Sequence, residues 1–153
     1  MLRPEYETVK DLSNEGSIAS MLSELWDVEV EKLKRFAPAD VAFVSNGEIE
    51  AFAEIKVRKN TKLHYPTYMI SLHKLEELAR LHDFSGKRCL LIVSWLDSLG
   101  WWKIPSGIGS NLRIEMGGTF RRGDPQDREP VVHIPIDEFH DVKPLRLNRR
   151  SPD

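Results

Sequence analysis

Two apolar runs joined by a turn signal constrain the fold of this chain more than any other feature. The runs cover residues 39–45 and 49–58, and the Asn46-Gly47 pair lies between them. Asn-Gly between two hydrophobic runs is a strong short-range signal for a β-hairpin. The segment therefore predicts two antiparallel strands.

Charged side chains interrupt both predicted strands. Asp40 lies near the opening of the first strand, and Glu54 and Lys56 lie within the second. Because strand side chains alternate between the faces of a sheet, Glu54 and Lys56 share one face, and their apolar neighbours Ala53 and Ile55 pack on the other. Two carboxylates and an amine could then converge where a hard cation and a phosphate would fit.

The register of the hairpin decides whether Asp40 and Glu54 can meet. With a two-residue loop, Asp40 would face Ala53 and point away from Glu54. With a three-residue loop that begins at Ser45, Asp40 lies opposite Phe52, diagonal to Glu54 and on the same face. A shared site therefore requires the second register, or a bulge equivalent to it.

Hydrophobic periodicity predicts the elements around this hairpin. The sequence favours helices at residues 13–26 and 68–81, with Gly86 shortly after the end of the second helix. It favours further strands at residues 28–33, 88–96, 100–105, 112–116 and 131–135, the last two as an irregular hairpin. The four tryptophans, Trp26, Trp95, Trp101 and Trp102, are interpreted as core residues.

Length and composition fit one α/β domain. The chain has 153 residues, 41% hydrophobic and 30% charged, which allows a single core. We expect a core over about 13–104, a C-terminal β extension over about 105–140 and a tail over 141–153. No membrane-length apolar stretch or signal-peptide pattern is present, so we expect a cytoplasmic protein without a membrane partner. The single Cys89 excludes a disulfide framework and a cysteine-rich zinc site.

Charge is unevenly distributed along the chain. Residues 1–54 carry 12 acidic and 5 Lys or Arg side chains, whereas residues 55–90 carry 3 and 8. A local basic patch beside acidic ligands suits a metal-dependent site that handles phosphate, although the net charge of −2 argues against broad polyanion binding. A mobile, solvated loop is the alternative for this basic segment. The predicted nucleic-acid contacts are Arg58, Lys59, Lys62 and Lys74.

The charged residues of the hairpin match the needs of phosphodiester hydrolysis. Mg²⁺ prefers oxygen ligands, keeps several waters, and needs only one or two carboxylates plus substrate phosphate. Asp40 and Glu54 would supply carboxylates, and a backbone carbonyl near Ile55 could add a third oxygen. Lys56 would position the attacking water or offset negative charge. The alternative is an ordinary solvated ion pair, since Glu-x-Lys is common in strands.

The order of elements, with Asp40 on the second strand and Glu54-Ile55-Lys56 on the third, resembles the PD-(D/E)XK nuclease superfamily. That superfamily includes restriction endonucleases, Holliday-junction resolvases and small phage-type or VRR-like nucleases. The resemblance covers residues about 13–104 and implies a restriction-endonuclease-like core of helix, three antiparallel strands, helix and strand, with a mixed sheet. Pro38-Ala39-Asp40 departs from a strict Pro-Asp dipeptide by one inserted alanine.

The resemblance also implies roles for individual residues. Asp40 and Glu54 would hold Mg²⁺ or Mn²⁺, and Lys56 would be catalytic. Many members carry a glutamate on the first helix, for which Glu15 is our choice and Glu24 the competitor. A solvated helix face is the alternative for either glutamate.

We therefore expect a Mg²⁺-dependent deoxyribonuclease with endonuclease activity, acting in the host cytoplasm if the chain is phage-encoded. Two other classes stay open. One is a catalytically inactive nucleic-acid-binding domain on the same scaffold. The other is a structural or assembly protein, in which Asp40 and Glu54 would lie apart or be salt-bridged. The choice between DNA and RNA, and between a monomer and a homodimer, also stays open.

Overall fold

A computed structural model describes residues 14–106, 111–117 and 128–142. Those ranges contain two α-helices, α1 (Glu15–Trp26) and α2 (Leu72–Ser85), and single 3-10 turns at Lys62–His64 and Ile136–Glu138. Their strands are β1 (Glu29–Lys32), β2 (Val41–Ser45), β3 (Glu48–Val57), β4 (Thr67–Ser71), β5 (Arg88–Ser94), β6 (Leu99–Lys103), β7 (Arg113–Gly117), β8 (Glu129–Pro135) and β9 (His140–Asp141). The predicted tail beyond residue 142 lies outside the described residues.

The strands form two sheets. The central sheet has the order β1-β2-β3-β5-β6-β9, in which β3 and β5 are parallel and all other neighbours are antiparallel. A smaller antiparallel sheet has the order β4-β8-β7. The predicted α/β class with a mixed sheet is confirmed, and the strands expected at residues 112–116 and 131–135 pair as a hairpin.

Helices cover the two faces of the central sheet. Ile18 and Leu22 of α1 are buried against one face, which includes Ile55. Leu75 and Leu78 of α2, together with the smaller sheet, pack on the other. The second cluster also contains Cys89, Trp95 and Trp102, all at most 7% exposed, while Trp26 and Trp101 are half-buried. None of the described segments is a helix long and apolar enough to cross a membrane.

The helix predicted from residue 68 begins four residues later. Residues 67–71 form β4 instead, in which Tyr68 and Ile70 are buried and Met69 between them is exposed. Ser71 ends this strand and caps α2, because its Oγ accepts a hydrogen bond from the Lys74 amide at 3.2 Å. Alternating burial and pairing with β8 therefore override the helical spacing of the sequence. The α1 prediction is confirmed, with Asn14 as N-cap.

The hairpin between β2 and β3 has a two-residue loop, so of the two predicted forms, a three-residue loop or an equivalent bulge, the loop form is not the one adopted. Ser45 pairs with Glu48, and the intervening Asn46 and Gly47 have φ values of 53° and 80°. Both central residues thus occupy the positive-φ region that a tight type I′ turn requires.

A β-bulge corrects the register two residues further on. Val44 pairs with Ile49, but Phe43 pairs with Ala51, which leaves Glu50 as the extra residue on β3. Beyond the bulge Val41 pairs with Ala53. Asp40 directly precedes β2 and Glu54 directly follows Ala53 on β3, and the charge of Asp40 acts on Glu54, so the two carboxylates lie close together. The bulge shifts the register by one residue, as the three-residue loop would also have done.

Candidate active site

Asp40 is fixed at the entrance of β2 by three hydrogen bonds. Its amide donates to the Ala53 carbonyl at 3.0 Å, and its carbonyl accepts from the Leu33 amide at 3.0 Å. Its carboxylate Oδ2 accepts from the amide of Ile55 at 2.8 Å. The side chain is therefore held against β3, beside the residue that follows Glu54.

Glu54 is a buried carboxylate with incomplete hydrogen bonding. The residue is only 4% exposed, and its Oε1 has no hydrogen-bond partner in the described part of the chain. Lys56 Nζ lies 3.4 Å from Oε2, and Lys74 Nζ lies 3.7 Å from Oε1. Burial and the negative charge of Asp40 raise the pKa of Glu54, while Lys74 and Lys56 oppose that change. A buried acceptor without a hydrogen bond is costly and calls for a ligand.

Lys74 belongs to this cluster, although the sequence suggested a contact with nucleic acid. From the first turn of α2, its Nζ donates to the Pro38 carbonyl at 3.0 Å and lies 3.3 Å from Glu77 Oε1. It thereby ties α2 to both the segment before Asp40 and the carboxylate of Glu54.

Of the two helix glutamates, Glu15 lies near the cluster. Desolvation and the charge of Asp40 raise the pKa of Glu15, whereas Lys56 and Lys32 lower it. Glu24 lies nine residues further along the same helix, about 13 Å away at a rise of 1.5 Å per residue. Because charges of the cluster act on Glu15, Glu15 stays the predicted helix carboxylate, with Glu24 as the alternative.

The basic segment after β3 is more ordered than a solvated loop. Arg58 donates to the Tyr68 hydroxyl at 2.6 Å and stacks over that ring. Lys62 Nζ lies 2.9 Å from Asp141 Oδ1, its side chain is 15% exposed, and its amide donates to Asp97. Lys59 is exposed. Arg58 and Lys62 are therefore engaged within the protein, and Lys59 is the more accessible cation.

The cluster offers oxygen atoms suited to a hard divalent cation. Within residues 14–106, 111–117 and 128–142, no three His, Cys, Asp or Glu side chains form a complete metal cluster. Mg²⁺ does not need one, because waters and phosphates fill most of its coordination sphere. The Ile55 amide points toward Asp40, and the carbonyl of a strand residue points the same way as its amide. The carboxylates of Asp40 and Glu54 and this carbonyl are therefore the candidate oxygen ligands, and the buried Glu54 Oε1, which has no hydrogen-bond partner among the described residues, suits a hard cation.

Neutralising Glu54 is expected to stabilise the metal-free protein. A raised pKa means that the folded state binds the proton of the Glu54 carboxyl more tightly than the unfolded state does. Protonated Glu54 therefore contributes to the free energy of unfolding at low pH, and this contribution is lost as the pH rises through the pKa of the folded state. At pH 7, Glu54→Gln should raise the free energy of unfolding by about 1 kcal/mol. Denaturant titration in the presence of chelator measures this change in the free energy of unfolding. Exposed Glu48→Gln, on the same strand, should stay within about 0.5 kcal/mol of the parent; a Glu54→Gln variant less stable than the parent would contradict the prediction.

Comparison with known proteins identifies the family. The model of the family described as "Phage putative PDDEXK endonuclease" matches residues 1–142, and no curated protein matches. The solved structure of Hjc, a Holliday junction resolvase from the archaeal hyperthermophile Archaeoglobus fulgidus, aligns at 15% identity with a TM-score of 0.49. That alignment covers 83% of this chain and 88% of that chain. The family match covers nearly the whole chain, and the protein therefore belongs to the phage PDDEXK endonuclease family.

Proposed function

We propose that this protein is a divalent-metal-dependent endonuclease that hydrolyses phosphodiester bonds of DNA. One observation carries the proposal: the buried Glu54 has a carboxylate oxygen without a hydrogen-bond partner among the described residues, although the charges of Asp40 and Lys56 act on this carboxylate. A structural or assembly protein also tolerates a salt-bridged Glu54. It gives no reason, however, to place Asp40 near the buried Glu54, since the charge of Asp40 raises the pKa of Glu54 and so disfavours its ionised form.

Asp40 and Glu54 would hold Mg²⁺ or Mn²⁺, together with the backbone carbonyl of Ile55. Bound there, the cation would lower the pKa of a coordinated water and offset charge on the scissile phosphate. The Ile55 amide keeps the Asp40 carboxylate oriented, so the ligand needs little reorganisation.

Two further side chains complete the proposed machinery. Lys56, whose side chain is 38% exposed, can reach both Glu54 and a phosphate oxygen, where its ammonium would stabilise negative charge in the transition state. Glu15, at the rim of the site, would orient a water through its carboxylate. Lys74 is a positioning residue, because it holds the segment before Asp40 in place through the Pro38 carbonyl.

A cleavage assay on closed circular, linear and branched DNA tests the proposal. Nicking of closed circular DNA in Mg²⁺ or Mn²⁺, abolished by chelator, is the expected result. An endonuclease cuts a circle, whereas an enzyme that requires an end cannot. No cleavage of any of these substrates at millimolar Mg²⁺ or Mn²⁺ would overturn the proposed activity.

Lys59, the accessible cation of the basic segment, should contribute to the salt dependence of DNA binding. Each lost phosphate contact reduces the slope of log K against log salt by about 0.9 for duplex DNA. Lys59→Ala should therefore reduce the slope by about that amount, measured by fluorescence anisotropy in chelator. Lys62→Ala is the matched control, because Lys62 is already paired with Asp141. A larger change for Lys62→Ala than for Lys59→Ala would contradict this assignment.

A further inference from the structure

Three connections leave the central sheet at the end that carries the acidic cluster. They are the β1–β2 connection at 33–40, the β3–β4 connection at 58–66 and the β5–β6 connection at 95–98. Because β2 runs antiparallel and β5 parallel to β3, the start of β2 and the ends of β3 and β5 lie side by side. A ligand bound at Asp40 and Glu54 therefore lies next to these three connections.

The same end of the sheet presents apolar side chains to solvent. Eight large hydrophobic residues of the described ranges are exposed, and four of them belong to these three connections. Isolated exposed hydrophobics are ordinary, but a concentration beside a polar cluster marks an interaction surface. The four residues are Phe36, Leu63, Tyr65 and Leu96.

Phe36 is the most exposed of the four, at 91%, yet its backbone is held firmly. The Ala37 amide donates to the Lys34 carbonyl at 2.9 Å, which closes a turn with Phe36 near its apex. Leu33 before the turn is bonded to Asp40, and the Pro38 carbonyl after it accepts from Lys74. The turn is therefore anchored on both sides to the candidate active site.

Positive charge accompanies this aromatic ring. The Arg35 guanidinium carbon lies 5.6 Å from the centroid of the Phe36 ring, within the range of a cation–π contact. Lys34 precedes Arg35, and Lys34, Arg35 and Phe36 are all exposed. An exposed aromatic ring flanked by two cations has the chemistry that binds an unpaired nucleotide: the ring stacks on the base while the cations contact the phosphates.

We propose that Phe36 stacks on an unpaired base, and that the preferred substrate is therefore DNA with unpaired or unstacked nucleotides next to the scissile phosphate. This inference rests on the proposed nuclease function and names its substrate class. A base inside an intact duplex must first be unstacked, which costs free energy, whereas a base at a branch point or in a single strand is already available. Stacking on Phe36 thus favours DNA with unpaired or unstacked nucleotides over an intact duplex.

Binding in chelator tests the inference without requiring cleavage. The probes are DNA of one sequence as a single strand, as a duplex with a single-stranded branch and as an uninterrupted duplex, each with 2-aminopurine near the junction or at the equivalent position. The parent should bind the first two more tightly than the duplex and quench the fluorophore. Phe36→Ala should weaken binding to the first two by about tenfold or more, lose the quenching, and bind the duplex within about twofold of the parent.

Two further variants control for surface hydrophobicity. Phe84→Ala removes a ring that is 94% exposed near the end of α2, where the chain leads into the opposite end of the sheet, and it should behave as the parent. Phe36→Trp should restore both binding and quenching. Equal affinity of the parent for all three DNAs, or an unchanged Phe36→Ala variant, would overturn the stacking role while leaving metal-dependent cleavage untouched. Conversely, absence of cleavage with the binding selectivity intact would refute the nuclease alone.

Discussion

Asp40→Asn is expected to reduce the rate of DNA cleavage about a thousandfold or more without unfolding the protein. The asparagine oxygen can still accept the hydrogen bond from the Ile55 amide, so the backbone arrangement is retained. The negative charge is lost, and with it a proposed ligand for the cation, which would contribute several kcal/mol to stabilising the transition state. Initial rates of plasmid nicking in Mg²⁺, with circular dichroism as a check of folding, measure the effect.

Asp27→Asn is the matched control for this substitution. Asp27 ends α1 in the left-handed conformation with φ 55°, which asparagine also tolerates. The change removes the same charge away from the site, so the cleavage rate should stay within about twofold of the parent. An Asp40→Asn variant that retained a rate within a few-fold of the parent would contradict the role assigned to Asp40.

Lys56→Met is expected to lower the cleavage rate about 10²- to 10³-fold while leaving the cation bound. Removing one preorganised electrostatic partner of a transition state typically has this effect. The methionine side chain keeps much of the apolar stem and loses the ammonium group that lies 3.4 Å from Glu54 Oε2. Single-turnover rates at saturating Mg²⁺, together with Mn²⁺ affinity, separate the chemical step from metal binding.

Lys103→Met provides the comparison for the lysine. Lys103 is exposed at the end of β6, and its substitution should leave single-turnover cleavage unchanged within about twofold. A Lys56→Met variant that cleaves as fast as the parent would assign Lys56 to an ordinary ion pair. A variant that loses Mn²⁺ affinity and cleavage together would instead show that Lys56 supports the metal site rather than the reaction.

The central hairpin illustrates what the sequence can and cannot predict. The alternation around Glu54 and the Asn46-Gly47 turn were sufficient to predict two paired strands, and the need for a shared face predicted a register correction. The correction itself, an extra residue at Glu50, could not be located. A bulge and a longer loop each shift the register by one residue and so have the same effect on which side chains share a face. No residue type in the sequence distinguishes one from the other.

Long-range contacts account for most of the remaining differences. The sequence Tyr68–Ser71 has apolar residues compatible with a helix, and only pairing with β8, more than 60 residues later, makes it a strand. Lys62 resembles a free loop cation until Asp141, 79 positions away, is brought beside it. Likewise, Lys74 contacts Glu54 because α2 packs on the face of the sheet that carries the acidic cluster.

Titration of the protein with Mn²⁺, followed by electron paramagnetic resonance, tests the central claim most directly. Mn²⁺ takes the same hard oxygen ligands as Mg²⁺, and free and bound Mn²⁺ give distinguishable signals. The account predicts saturable Mn²⁺ binding by the parent that is lost in both Asp40→Asn and Glu54→Gln and retained in Glu48→Gln. Equal Mn²⁺ binding by the parent and by both site variants would contradict a cation held between Asp40 and Glu54.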